Sequence, residues 1–226
     1  MNTGNRPKLI AILGGSGAGK TWLARRLQHE FGPLAARLSL DDFYCDLGQL
    51  PPARREAVNF DHPRAMDWLA FEKVLHDCRD GRVTRIPQYD FVTHTRLPKE
   101  KLFHPKPLIL VEGLWLLWLP RIAELFDLKI YLNCLGQLRL ERRLSRDTVE
   151  RGRAPDSVRR QFSETVAPLH KQFVAPQAML ADIILKQPLS ETELHGVIGA
   201  IRLAVNEARV GQKIAPSPCE FCLHAI

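Results

Sequence analysis

Eight consecutive residues near the amino end, Gly14-Gly15-Ser16-Gly17-Ala18-Gly19-Lys20-Thr21, match the spacing G-x-x-x-x-G-K-S/T. Glycines at these positions let successive backbone N–H groups converge on phosphate oxygens, and a helix starting at Lys20 turns the positive end of its dipole to the same place. Lys20 then reaches the β- and γ-phosphates, and the Thr21 hydroxyl ligates Mg²⁺. Three carboxylates further along, Asp41, Asp42 and Glu112, are of the type that phosphoryl transfer to a hydroxyl needs, because the acceptor must be oriented and must lose a proton. Either Asp could instead cap a turn, and Glu112 could hold the metal through water or cap the helix that follows. Between residues 139 and 160 stand eight arginines against four acids, more than half of the chain's net charge of +7. Guanidinium groups in place of ammonium groups favour a bidentate grip on phosphate over diffuse attraction to a polyanion.

These residues need a frame that brings them together. Short apolar runs at residues 8–13, 36–40, 108–111, 128–132 and 182–185 read as strands buried on both faces. Between them lie helical patterns. One runs over residues 20–31 and is stopped by Gly32-Pro33; another covers 67–80, with Leu69, Phe71, Val74, Leu75 and Cys78 on its apolar face and Gly81 as its stop. A third covers 190–209, opened by a capping box of Ser190 and Glu193, with Leu194, Val197, Ile198, Ile201, Val205 and Ala208 on one face. Strands alternating with helices predict a parallel sheet covered by helices on both faces, with right-handed crossovers and ligands bound beyond the carboxyl ends of the strands. The loops after Leu13, Leu40 and Val111 are therefore the expected seat of the chemistry.

The chain has 226 residues, 45% hydrophobic and 25% charged, which excludes a disordered or collagen-like chain and suggests one domain. The longest apolar stretch, residues 108–119, is too short to span a bilayer and carries Glu112, and the first residues do not read as a secretory signal; a cytoplasmic protein without a membrane partner is expected. Five cysteines without regular spacing read as reduced thiols. Cys219, Cys222 and His224 lack the further pair of a structural zinc site, so residues 211–226 are expected to be a flexible tail.

Taken in order, several segments resemble the uridine (uridine-cytidine) kinases. They are the loop at 14–21, Leu40-Asp41-Asp42-Phe43-Tyr44, Asn59-Phe60-Asp61-His62-Pro63, and Pro87-Gln88-Tyr89-Asp90-Phe91-Val92-Thr93-His94-Thr95-Arg96. Val111-Glu112-Gly113, Arg142-Arg143, Arg146-Asp147, Glu150-Arg151-Gly152-Arg153, Pro168 to Val174 and Ala181-Asp182-Ile183-Ile184 continue the series. The loop is shared by many NTPases, whereas the Asn-Phe-Asp-His-Pro and Tyr-Asp-Phe-x-x-His-x-Arg segments are far more specific. The resemblance implies a P-loop NTPase-type α/β fold: a kinase domain over 1–210 with a lid at about 139–160 and an acceptor-binding insertion at about 45–105. It implies transfer of phosphate from ATP or GTP, with Mg²⁺, to the 5′-hydroxyl of uridine or cytidine.

On that pattern Asp41 is the base, with Lys20 and Arg146 completing the catalytic set and Thr21, Asp41 and Glu112 serving the metal. Asp61 and Arg143 hold the ribose hydroxyls with help from Arg153 and Gln161. Tyr89 and His94 read the pyrimidine edge, Phe91 packs on the ring, and Tyr44 joins the acceptor pocket. The chain departs from the family in Cys45, in Asn133-Cys134-Leu135 after the fourth strand, and in Lys186-Gln187-Pro188 after the last. A small-molecule nucleoside is the expected partner, without nucleic acid; a homo-oligomer is left open. Two alternatives stand: a related kinase of phosphoribulose, pantothenate or nicotinamide riboside, and a nucleic-acid-binding NTPase that uses the arginine segment, which salt-dependent retention on nucleic acid would reveal.

Overall fold

The apolar run Leu9 to Leu13 has no solvent exposure at any residue, and its alternation explains the layering of the molecule. In the computed structural model, which describes residues 6–56, 58–149 and 152–210, Leu9, Ala11 and Leu13 enter one apolar core while Ile10 and Ile12 enter another on the opposite face. Successive strand residues point to opposite faces, so a strand apolar throughout must be covered on both. This strand, β1 (Lys8–Gly14), is followed by α1 (Lys20–Phe31), β2 (Ala35–Ser39), α2 (Pro52–Glu56) and α3 (Trp68–Arg79). Four short strands come next: β3 (Thr84–Ile86), β4 (Tyr89–Asp90), β5 (Thr95–Arg96) and β6 (Lys101–Phe103). The chain then forms β7 (Leu108–Gly113), α4 (Pro120–Ala123), β8 (Leu128–Asn133), α5 (Gly136–Val149), α6 (Pro155–Gln161), α7 (Ala167–Leu169), β9 (Ile183–Lys186) and α8 (Glu191–Val210).

The main sheet has five strands in the order β2-β7-β1-β8-β9, every pairing parallel. On one face Leu23, Ala24 and Leu27 of α1 pack beside Leu194, Val197, Ile198 and Ile201 of α8. On the other, Phe71, Val74, Leu75 and Cys78 of α3 pack beside Phe43, Trp115, Leu116 and Phe173. The doubly covered parallel sheet expected from the sequence is present. The capping box is too: Ser190 N–H donates to Glu193 Oε2 (2.9 Å), and Glu193 N–H to Ser190 Oγ (3.2 Å).

Three expectations need correction. Leu69 does not face the core but is 77% exposed, because two residues of helix separate it from Phe71 by about 200° of rotation. The last strand is Ile183–Lys186 at the edge of the sheet, and Ile184 lies half in solvent, since its side chain points to the face opposite Ile183 and Leu185, which pack in or against the core under α1 and α8. The strand expected at 108–111 continues through Glu112 and Gly113, so Glu112 is part of the sheet and caps no helix. Ala208 and the Cys219–Cys222 tail concern side chains or segments outside the described residues, as do Glu150 and Arg151. Among the described residues no helix is long and apolar enough to cross a membrane.

Gly113 marks where the sheet meets the site. A Cβ there would lie 2.6 Å from Leu40 Cβ and 3.0 Å from Leu116 Cδ2, so the absence of a side chain lets the buried Leu40 seat against β7 and fixes where Asp41 emerges. Gly113→Ala should therefore destabilise the fold by roughly 1–3 kcal/mol through overpacking. Chemical denaturation would show this as a lowered midpoint; an unchanged midpoint would mean that Leu40 is not locked in place.

Candidate active site

The β1–α1 turn can close only because Gly17 and Gly19 take φ values of 80° and 94°, a backbone region that side chains other than glycine's rarely enter. Lys20, the first residue of α1, folds back so that Nζ donates to the Gly15 carbonyl at 3.1 Å. Burial lowers its pKa against the opposing pull of Asp41 and Glu112. One residue on, the Thr21 hydroxyl donates to Glu112 Oε2 at 2.6 Å, and Arg37 Nη1 on β2 pairs with the other Glu112 oxygen at 2.9 Å. Strands β2 and β7 lie side by side and supply Arg37 and Glu112, while the loop that follows the neighbouring β1 leads into α1, which supplies Lys20 and Thr21.

Beyond β2 the chain enters a tight helical turn, Leu40–Phe43, in which Asp41 N–H donates to Ser39 Oγ at 3.3 Å. Asp41 and Asp42 thus diverge. Asp41 lines the cleft, whereas Asp42 does not, and burial followed by the neighbouring Asp41 charge raises Asp42 to about 6.

The cleft has a volume of about 660 Å³. Ser16, Gly17, Gly19, Lys20 and Thr21 form one end of its lining, Tyr44, Asp61, Tyr89, Phe91 and His94 another, and Arg143, Arg146, Arg153 and Gln161 contribute as well, with Asp41 and Glu112 also on its wall. Gly14, Gly15 and Ala18 belong to the loop but are buried beneath its surface. Apart from those three and Asp42, every residue singled out in the sequence for donor, metal or acceptor lines this one space.

The aromatic end is built by the β4–β5 hairpin. Tyr89 and Asp90 pair with Arg96 and Thr95, and the turn between them puts His94 at φ 56°. The His94 ring stacks on Phe60 at 4.3 Å with 13° between planes, while Tyr89 lies 5.2 Å from Tyr44 and 5.3 Å from Phe91. The Tyr89 hydroxyl is buried without a hydrogen-bond partner among the described residues, and burial pushes its pKa up to about 12, so it stays a neutral donor. Arg96 ties the hairpin down: Nε donates to the Tyr44 carbonyl at 2.9 Å, and Nη2 pairs with Asp67 at 3.1 Å.

The arginines are ordered by one acid. Asp147, with no exposure, lies 2.8 Å from Arg146 Nη2, 3.3 Å from Arg143 Nε and 3.7 Å from Arg153 Nη1. Gln161 Oε1 accepts from both Arg143 (2.9 Å) and Arg153 (2.7 Å), and Arg143 Nη1 donates to Ser16 Oγ at 3.0 Å and reaches Asp61 Oδ1 at 3.8 Å. Burial raises the Asp61 pKa, with Arg143 and then Arg153 acting against it. Asp147, Arg37 and Phe60 were not assigned by sequence reasoning. For Asp147 the signal was present, as an acid inside a run of arginines; for Phe60 it was its place in the Asn-Phe-Asp-His-Pro segment. Arg37 left no local trace, because only strand pairing brings it to Glu112.

A family model described as phosphoribulokinase / uridine kinase matches residues 9–193. The chain belongs to that family. It is 40% identical over 184 residues to a uridine kinase of Staphylococcus carnosus, a match covering 81% of this chain and 88% of the relative. A uridine kinase of Brevibacillus brevis is 37% identical over 182 residues, with 80% and 85% covered. Among solved structures, phosphoribulokinase from Rhodobacter spheroides superposes with a TM-score of 0.61 at 20% identity, over 80% of this chain and 70% of that one. D-glycerate 3-kinase from Cryptococcus neoformans does so with a TM-score of 0.56 at 16% identity, over 80% and 86%. At those identities the structures show the fold alone, a P-loop kinase sheet. The phosphoribulokinase / uridine kinase family comprises phosphotransferases with an alcohol acceptor, and this chain is an enzyme of that kind.

The donor set at the end of β7 suits a hard cation. Mg²⁺ keeps several waters and takes few protein oxygens beside those of a bound phosphate, and the Thr21 hydroxyl and Glu112 carboxylate already meet there. Among the described residues no group of three or more His, Cys, Asp or Glu forms a metal cage, so a cation here would have to share substrate oxygens.

Asp147→Asn keeps the shape of the side chain and removes the charge that faces three guanidinium groups among the described residues. Breaking a buried ion pair from one side costs roughly 3–5 kcal/mol. Urea denaturation should show a loss of that order together with a fall in kcat/KM for the donor; wild-type stability would show that the arginines do not depend on Asp147.

Proposed function

We propose that the protein transfers the γ-phosphoryl group of ATP or GTP to the 5′-hydroxyl of uridine or cytidine, with Mg²⁺ bound at Thr21 and Glu112 beside Asp41. The observation that carries this reading is the shared cleft: a phosphate cradle, a carboxylate on its wall, and an aromatic slot with a polar pair, Asp61 and Arg143, lining the same space. Asp41 accepts the proton of the attacking hydroxyl and holds that oxygen in line. Lys20, the loop N–H groups and Arg146 stabilise the charge that spreads over the transferring phosphoryl oxygens. When bound, the metal neutralises charge between the phosphates.

Asp61 accepts hydrogen bonds from the ribose 2′- and 3′-hydroxyls while Arg143 keeps its carboxylate charged and in place. Tyr89, Phe91 and His94 enclose a single ring, the size of a pyrimidine. Residues 45–105 then act as the acceptor-binding insertion and residues 139–160 as the lid, with Gly152, at φ 63°, as a hinge position. The similar proteins of Staphylococcus carnosus and Brevibacillus brevis, both uridine kinases, support this reading. The placement of Arg139 and Arg143 inside the protein also favours a small phosphorylated ligand over a nucleic acid, which would need them on the surface.

The test is a nucleoside panel on the wild type and Asp61→Ala. The wild type should convert uridine and cytidine and leave adenosine and guanosine nearly untouched. Deoxyuridine should lose roughly 10- to 100-fold in kcat/KM, because an unmade hydrogen bond to a charged group forfeits ~1.5–3 kcal/mol. Asp61→Ala should impair uridine more than deoxyuridine, which has only its 3′-hydroxyl contact to lose there. Purine turnover equal to that of uridine, or equal losses on both uridine forms, would contradict the assignment.

A further inference from the structure

Arg139 lies within α5 and is 4% exposed, its guanidinium 5.5 Å from the centre of the Phe162 ring. Neither Nε nor Nη1 has a hydrogen-bond partner, and no carboxylate pairs with it among the described residues. The groups that favour its charge are the Cys134 thiol and the Tyr131 phenol, both made harder to ionise by burial and therefore neutral near pH 7. Its side chain presses on the back of the phosphate loop. A Cβ on Gly15 would lie 2.6 Å from Arg139 Nη1 and 3.0 Å from His170 Nδ1, and one on Gly17 would collide with the Arg139 carbonyl oxygen. His170 stays neutral beside it, lowered to about 4 by burial and then by Arg139 and Lys20.

A buried cation is costly unless a counter-charge compensates it, and an apolar side chain of similar length would pack on Phe162 without that cost. Stability therefore does not account for an arginine here. We infer that Arg139 is a positioning residue for the phosphoryl donor, a buried cation at the first residue of the lid segment and behind the loop, whose counter-charge is the polyphosphate held on the loop's other side. Its field crosses a single layer of backbone with little water between, where charges act more strongly than at a wetted surface. It meets no substrate atom, which separates it from Arg143 and Arg146 on the cleft wall. The inference rests on the reading of residues 14–21 as a phosphate cradle and is independent of which acceptor is used.

The experiment measures inorganic tripolyphosphate binding by calorimetry, and thermal unfolding without anion, for the wild-type chain, Arg139→Met and Arg139→Lys. Arg139→Met should bind tripolyphosphate roughly tenfold or more weakly while its midpoint without anion equals or exceeds that of the wild type; Arg139→Lys should recover part of the affinity. Arg139→Met binding as tightly as the wild type would overturn the proposal. So would a variant that unfolds earlier, or fails to fold, with no recovery of binding by Arg139→Lys, since that would make the arginine a structural requirement. A wild-type chain that does not bind tripolyphosphate would overturn the phosphate-loop reading and the proposal with it, an outcome distinct from equal binding by wild type and variant.

Discussion

The cleft depends on the register of three adjacent parallel strands. Ile12 of β1 and Ser39 of β2 both lie beside Glu112 of β7, so the three strands end at one level. From that level the phosphate loop, the Asp41 turn and Glu112 all depart, and the 2.6 Å contact between Thr21 and Glu112 is its direct expression. A slip of one residue in β7 would move Glu112 to the opposite face of the sheet and bring an apolar neighbour to Thr21. The two apolar cores prevent it, because each strand residue already has its own side to fill.

A second constraint is the balance of charge around the cleft. Asp147 and Asp61 face Arg143, Arg146 and Arg153, and Arg139 stands behind the loop with no carboxylate of its own among the described residues. Apolar packing would make a more stable wall. Surplus positive charge held in place by a few well-placed acids is instead what a site for a highly charged anion requires, since the preorganised groups need not rearrange when charge shifts during transfer.

How legible this was in the sequence followed from how local each feature is. The phosphate loop is a contiguous pattern between a strand and a helix, and it could be read directly; so could the Ser190–Glu193 cap. The sheet strands were visible as apolar runs, with ends displaced by one or two residues because polar Glu112 and Asn133 continue the ladder where hydrophobicity stops. The two-residue strands β4 and β5 carry no periodicity, so the hairpin that presents Tyr89 and His94 was not legible, and the roles expected of these two residues came from the family resemblance alone. Leu69 was misplaced because its spacing was only roughly helical, and the Arg37–Glu112 pair was hidden because it joins residues 75 positions apart.

The proposed function requires one orientation of the acceptor: ribose hydroxyls at Asp61, and the 5′-hydroxyl at Asp41 facing the phosphate loop. Phosphorus–proton correlation NMR of the product formed from uridine and a nucleoside triphosphate reads that orientation from covalent connectivity. One new phosphorus signal coupled to the two 5′-methylene protons is expected. Coupling to the 2′ or 3′ ribose proton, or appearance of inorganic phosphate alone, would contradict it.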